Sequence, residues 1–320
     1  MLDKAAPLDL RDLLALLAAL ALVVFGADLL LDGLLAVARR WRRSAFALVV
    51  LLAGMEPENL ATGIAANLDG LPGAALGTCL GGSVFIALGV SGLGGLIAPA
   101  RVTPKWATVA WTAAAPVPLA LLALDGRVGR LDGALLLLWF AVAIAGLTRT
   151  GGVPPAADDD DKDEERTRFH PLLVAAGGLA LLSAGGSLLG DALRSAAAGI
   201  GAGPTLLGNT AVAAAVEAEE VARVVVPARR GRPDLALANI AGTVVHFVAL
   251  NAGLIALVRP LPLDAATRTV HLPAAVVAPA LCLILIRARG RLDRPAGLAL
   301  LLLYALYVGV AVRFPGGLGQ

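Results

Sequence analysis

Glu56-Pro57-Glu58-Asn59-Leu60-Ala61-Thr62 stands inside one long apolar run, and Glu217-Ala218-Glu219-Glu220-Val221-Ala222-Arg223 stands inside another, in the second half of the chain. A charge at the centre of a bilayer costs from about 2.5 to above 10 kcal/mol, so ionisable residues there mark ion or substrate paths. Five glutamates at matching depths in two apolar segments therefore read as an intramembrane cation site. The chain around them has to supply a membrane scaffold.

Composition agrees. The 320 residues are 58% hydrophobic with mean hydropathy +0.82, outside the range of soluble domains, and specify an all-α polytopic membrane protein in a lipid bilayer. Ten runs are long enough to span, at roughly 20 apolar residues each. They cover 13–38, 44–68, 72–98, 106–124, 132–148, 171–192, 204–227, 234–258, 272–286 and 295–312. The first lacks the basic start and small-residue cleavage site of a secretory signal and reads as a retained helix. Cys79 and Cys282 lack metal-type spacing and read as small core residues.

Lys and Arg set the orientation. Alternate connections carry 17 of the 26 basic residues, including Arg39, Arg40, Arg42 and Arg43 after the first run and Arg287, Arg289, Arg291 and Arg294 after the ninth. The opposite set, termini included, carries eight, and Arg223 belongs to neither. This alternation puts both termini outside the cytoplasm of a protein in the cell membrane. The connection at 151–170 contains Pro154-Pro155 and the acidic run Asp158 to Glu165, and reads as a solvated cytoplasmic linker between halves 1–150 and 171–320.

The halves are related. Glu56 to Pro99 aligned without gaps on Glu217 to Pro260 gives 13 identities in 44 pairs, among them Glu56/Glu217, Glu58/Glu219, Gly70/Gly231, Pro72/Pro233 and Gly92/Gly253. A weaker echo pairs Gly26 to Asp32 with Gly185 to Asp191. Five spans per half is an odd number, so the second half enters from the opposite side. Two inverted five-helix repeats with a midplane site are the architecture of secondary transporters.

On a helix Glu56 shares a face with Asn59, and Glu217 with Glu220, whereas Glu58 and Glu219 point elsewhere. Pro57 removes a backbone donor and crowds the preceding turn, so a kink or a freed carbonyl near Ala53 is expected. Carbonyls beside carboxylates suit hard cations such as Ca²⁺ or Na⁺. Thr78, Ser83, Asn239 and Thr243, with Asn209 and Thr210, could add oxygens, although Thr and Ser often bond back to their own helix. Arg223 either pairs with Glu219 or Glu220 or snorkels to the basic loop beyond it. His246 is either a proton-linked switch or a satisfied core residue.

These residues resemble a family. Gly26-Ala27-Asp28-Leu29-Leu30-Leu31-Asp32-Gly33 with Ala38-Arg39-Arg40 is similar to the first helix of sodium/calcium exchangers of the cation/calcium antiporter superfamily. The two central stretches, with Gly77 to Ile86 and Ala238 to Phe247, resemble that family's paired α-repeats in degraded form. The family pattern is Gly-Thr-Ser-x-Pro-Glu, then Gly-Asn-x-x-Gly-Ser-Asn. Gly54, Met55, Glu56, Glu58 and Asn59 take the first set of places in one half, and Ala215, Val216, Glu217, Glu219 and Glu220 in the other. Glu220 thus stands where the family's metal-binding Glu stands, and Asn59 takes that place in the first half unless a one-residue shift gives it to Glu58. Thr78 and Ser83 replace the two Asn of the first half, Gly82 its Ser, and Val244 the last Asn of the second.

The resemblance implies a secondary-active antiporter that needs no cofactor and exchanges Ca²⁺, or a similar cation, for Na⁺ or H⁺. Its metal-binding residues would be Glu56, Glu58, Asn59, Glu217, Glu219, Glu220, Thr78, Ser83, Asn239 and Thr243. The first and sixth helices would rock against the second, third, seventh and eighth. The later Asn or Asp that helps the family bind Na⁺ corresponds to Ile86 and Phe247, while the extra carboxylates suit proton exchange, as in its calcium/proton branch. An alternative is a membrane protein that does not transport, with Arg223 and the glutamates locked in an ion-pair network. No His-Glu-x-x-His or Gly-x-Ser-x-Gly motif points to an enzyme, nothing points to nucleic acid, and the oligomeric state has no signature.

Overall fold

Pro57 breaks the second apolar run. In the computed structural model, which describes residues 10–52, 54, 56–151, 170–199 and 218–313, that run forms two helices, α2 (Ala45–Leu52) and α3 (Pro57–Leu68). Proline holds the first position of α3, where its missing N–H costs nothing and its fixed φ favours the helix. The single span expected over 44–68 is therefore two short helices. α1 covers Leu10–Trp41. Downstream come α4 (Pro72–Val84), α5 (Ser91–Ile97), α6 (Trp106–Ala114), α7 (Val117–Leu122), α8 (Arg130–Thr150) and α9 (Pro171–Gly199). The series ends with α10 (218–229), α11 (Pro233–Val245), α12 (Ala252–Val258), α13 (Leu272–Arg289) and α14 (Arg294–Arg313).

Among the described residues eight helices are long and apolar enough to cross a membrane. The ninth expected run, 272–286, is longer than hydropathy suggested, because Thr267–His271 adds a π-helical turn and the span reaches Arg289. Polar Thr267, Arg268, Thr269 and His271 hid that turn from an apolar count. The expected run at 204–227 is described only from 218, and the linker expected at 151–170 lies, but for its two ends, outside the described residues.

Compactness groups the chain into two units, each drawing on both sequence halves: Met1–Arg43 with Asp159–Pro227, and Ser44–Asp158 with Ala228–Gln320. In the second unit the repeat is visible in the backbone. α4, a π-helical turn (Phe85–Val90) and α5 form one continuous span; α11, a π-helical turn (His246–Asn251) and α12 repeat it boundary for boundary, at the offset that carries Glu56 to Glu217. A π-turn takes in one extra residue and is frequent at functional sites. Before each span a glycine adopts positive φ, Gly70 at 82° and Gly231 at 73°, a conformation other residues seldom accept.

Two short strand pairs complete the pattern. β1 (Ala100–Arg101) pairs with β4 (Arg291–Leu292), and β2 (Arg127–Val128) with β3 (Leu261–Pro262), both antiparallel. Exchanging the two sequence halves turns one pair into the other. The same exchange relates two close helix crossings. A Cβ on Gly297 would strike the backbone of Gly92, and one on Gly133 would strike the backbone of Gly253. Small residues let helix backbones approach this closely where lipid supplies no hydrophobic drive.

The first unit is organised by α1 and α9. Added Cβ atoms would meet backbone between Gly33 and Ala175, Leu30 and Gly178, Gly26 and Leu182, and Val23 and Gly185, and Ala19 packs on Leu189. In every pair one number rises as the other falls, so the helices run antiparallel. Steps of three and four residues mark a coiled-coil-like seam. Leu30 meets Gly178 at a distance only Gly allows, whereas a Cβ on the adjacent Gly177 would touch only the Leu29 side chain, at 4.0 Å. Gly178→Leu should therefore destabilise the purified protein by about 3 kcal/mol through overpacking, and Gly177→Leu by far less; thermal unfolding in detergent compares the two.

Candidate cation site

Glu56 occupies the position just before α3, and Asn59 lies on the same face one turn on. Asn59 Nδ2 donates to Glu56 Oε2 across the first turn of α3. The glutamate is buried, 6% exposed, and Asn59 half-buried. The break before α3 is occupied from the other sequence half, since a Cβ on Gly54 would fall on the His246 ring. His246 opens the second π-turn, its Nδ1 is 2.8 Å from the Gly242 carbonyl oxygen, and its ring meets Phe140 edge-on at 4.9 Å. Of the two readings for His246, the structure favours the satisfied core residue.

The oxygens expected from neighbouring spans divide. Thr78 donates to the Ala75 carbonyl of its own helix at 2.8 Å, the back-bonding common for buried threonine. Its Oγ1 also faces α3, 3.3 Å from where a Gly63 Cβ would stand. Ser83 is fully buried, and among the described residues its hydroxyl has no hydrogen-bond partner, a deficit of about 1–3 kcal/mol for a group kept from water. Asn239 and Thr243 are both buried, four residues apart on one face of α11. Gly82 and Phe247 interlock, because the phenyl ring takes the space of a Gly82 side chain.

Sequence alone did not pick out Asn67. Its Nδ2 donates to the Ile255 and Arg259 carbonyls at 3.2 and 2.6 Å, and Arg259 Nη1 donates back to the Asn67 and Leu68 carbonyls at 3.1 Å. This reciprocal clasp ties the end of α3 to the end of α12. Partners drawn from opposite halves of the chain leave no local signal.

In the first unit α10 carries Glu219, Glu220 and Arg223. Arg223 Nη1 donates to Glu220 Oε1 at 2.7 Å, and its Nη2 lies 3.6 Å from Glu219 Oε2. All three are buried, at 6%, 2% and 8% exposure. Arg223 pairs rather than snorkels. Ser183 of α9 donates to Glu219 Oε2 at 3.4 Å, and a Cβ on Gly186 would strike the Glu219 carboxylate, so Glu219 rests directly on α9. Ser183 is a second participant that spacing could not reveal.

Glu217, Asn209 and Thr210 lie outside the described residues, as does the side chain of Glu58, whose backbone is the second residue of α3. Among the described residues no three His, Cys, Asp or Glu side chains cluster as a metal site would require. Each unit holds its own buried carboxylates, each answered by a residue three or four positions further along the chain: Glu56, just before α3, by Asn59, and Glu219 and Glu220, on α10, by Arg223. Glu56 has a neutral donor, and Glu219 and Glu220 have a cationic one.

A sequence model of the family described as sodium/calcium exchanger protein matches residues 12–149 and 170–313. No curated protein matches the chain. Among solved structures, the sodium-calcium exchanger NCX_Mj soaked with zero Na⁺ and Ca²⁺ superposes with a TM-score of 0.78 at 21% identity, covering 93% of this chain and 98% of that one. The same exchanger in 10 mM Na⁺ and zero Ca²⁺ gives 0.77 at 22% identity, with the same coverage. In 2.5 mM Na⁺ and 0.1 mM Ca²⁺ it gives 0.77 at 20%, covering 94% and 98%. These likenesses establish a shared fold.

Replacing Asn59 by alanine leaves Glu56 buried without its one-turn donor. A hydrogen bond to a charged group is worth about 1.5–3 kcal/mol, and Asn59→Ala should lose about that much stability in thermal unfolding without divalent cations.

Proposed function

Because this chain belongs to the sodium/calcium exchanger family, we propose that it is a secondary-active antiporter that exchanges Ca²⁺ or a similar cation for Na⁺ or H⁺ by alternating access. The observation that carries this reading is Glu56, a buried carboxylate at a helix break within an apolar span, at a place where the family's α-repeat motif falls. A membrane protein has no structural use for such a charge that an apolar residue would not serve better.

In this reading Glu56, Glu58, Asn59, Glu217, Glu219 and Glu220 supply carboxylate and amide oxygens, and Thr78, Ser83, Asn239 and Thr243 supply neutral ones. The unmet hydroxyl of Ser83 and the paired Asn239 and Thr243 on one helix face support their inclusion. Carboxylates sharing one site cannot all stay ionised cheaply, so an empty site takes up protons or Na⁺, which is the physical basis of exchange. Ten spans form two inverted repeats, 1–150 and 171–320, joined by a cytoplasmic linker at 151–170, with both termini outside the cytoplasm of the cell membrane. The exchange of strand pairs β1·β4 and β2·β3 between halves supports the repeat, and the loop charge alternation supports the orientation.

One observation favours a second reading. Arg223 reaches both Glu219 and Glu220, so these carboxylates could be locked and the protein silent. Uptake of radiolabelled Ca²⁺ into proteoliposomes, driven in turn by outward Na⁺ and outward proton gradients, separates the two. An antiporter takes up label under at least one gradient, and Glu56→Gln should reduce that uptake by more than about tenfold, the loss of one charged ligand. No uptake under either gradient would move the silent network to the front.

A further inference from the structure

The two repeats differ in charge at only two places within their central stretch. Asn59 of the first corresponds to Glu220 of the second, and Thr62 corresponds to Arg223, both in the register that aligns Glu56 with Glu217. One replacement adds a negative charge and the other a positive one. The two added groups are joined to each other, guanidinium to carboxylate, at 2.7 Å. Compared with the first repeat, the second thus carries an additional ion pair at equal net charge.

That pair lies where a charge is expensive. Glu220 is 2% exposed and Arg223 8%, and the guanidinium also reaches Glu219 at 3.6 Å. A buried carboxylate needs a donor or a positive partner, and removing one member of a buried ion pair leaves an uncompensated charge. In an exchanger the partner is a transported ion when one is bound. Here the chain carries its own. An arginine cannot release its proton under any ordinary condition, so the charge is permanent, and its place one turn from Glu219 and Glu220 on the same helix fixes it within reach of both.

We propose that Arg223 is a tethered cation that neutralises the second-repeat carboxylates whenever no transported ion is bound there, filling the place a bound monovalent ion would otherwise take; it is not itself carried across, so the ion moved against the divalent cation is a proton and Na⁺ is not needed. A divalent ion entering the second-repeat carboxylates displaces the guanidinium. When the ion leaves, the guanidinium returns, and the empty carrier stays neutral there without binding Na⁺. The transport consequence rests on the antiporter reading; the substitution of one cation by another does not, and is read from stability.

The test compares wild type, Arg223→Thr, which installs the residue type of Thr62, and the double variant Glu220→Asn with Arg223→Thr, which installs the first-repeat pair. Each is purified and melted at constant ionic strength and mildly alkaline pH, where protons are scarce, with choline replaced stepwise by Na⁺. Wild type should melt at the same temperature in both salts, and the double variant, in which Glu219 alone loses the guanidinium, should respond to Na⁺ less than Arg223→Thr. Arg223→Thr should melt lower in choline and recover on the order of 5 °C at saturating Na⁺, as a ligand bound only by the folded state produces.

A folded Arg223→Thr protein indifferent to Na⁺, or a wild type stabilised by Na⁺ as strongly as the variant, overturns the proposal. If Arg223→Thr does not fold in either salt, the double variant decides. Recovery of wild-type folding supports charge compensation, and failure to recover overturns it. In proteoliposomes under an outward proton gradient, Ca²⁺ uptake by wild type should be equal with Na⁺ or choline, and that of Arg223→Thr should depend on Na⁺. Absence of uptake in every variant would sink the antiporter reading while leaving the melting result to stand.

Discussion

A carboxylate withdrawn from water must find a donor or a positive charge close at hand, and in this protein the first partner comes from three or four residues further along the chain. Asn59 answers Glu56 three residues on, and Arg223 answers Glu220 and Glu219 at three and four. These spacings need no tertiary partner, because a helix places such residues on one face. The pairing is therefore within reach as soon as α3 and α10 form. Packing then decides what else surrounds each group. Ser183 and the bare backbone at Gly186 meet Glu219, and His246 fills the break beside Glu56.

The scaffold is more symmetric than the chemistry it carries. Helix boundaries, π-turns, positive-φ glycines and strand pairs repeat between the halves of the second unit. The side chains at the corresponding points do not. Phe85 stands for His246, Ser83 for Val244, and Thr78 for Asn239. Backbone symmetry persists because close crossings such as Gly92 on Gly297 and Gly133 on Gly253 tolerate no larger residue. Side chains facing the interior are under no such steric rule, and there the two halves have diverged into one neutral and one charged pairing.

Much of this was legible in the sequence. Hydropathy and length identified the eight helices that, among the described residues, are long and apolar enough to cross a membrane, since that is a property of about twenty consecutive residues and needs no distant partner. The constant offset between the repeats, the shared face of Glu56 and Asn59 and the reach of Arg223 to its glutamates also follow from spacing along the chain. The run at 44–68 went wrong in one respect only. Pro57 announced a disruption, but whether a proline kinks a helix or starts a new one depends on what fills the gap, and that is His246, which the chain supplies to Gly54 from its other half.

By itself, then, the sequence determined the membrane class, the duplication, the helix faces and the carboxylates, because each is additive along the chain or fixed within one turn. The tertiary structure alone decided that α1 and α9 run antiparallel along a glycine seam, that Asn67 clasps Arg259, that Ser183 bonds Glu219, and that Arg223 turns inward instead of toward the basic loop. The first three join residues far apart in the chain. The last is a choice between two polar environments, and only the folded chain, by burying Glu219 and Glu220, makes the inward one the lower in energy.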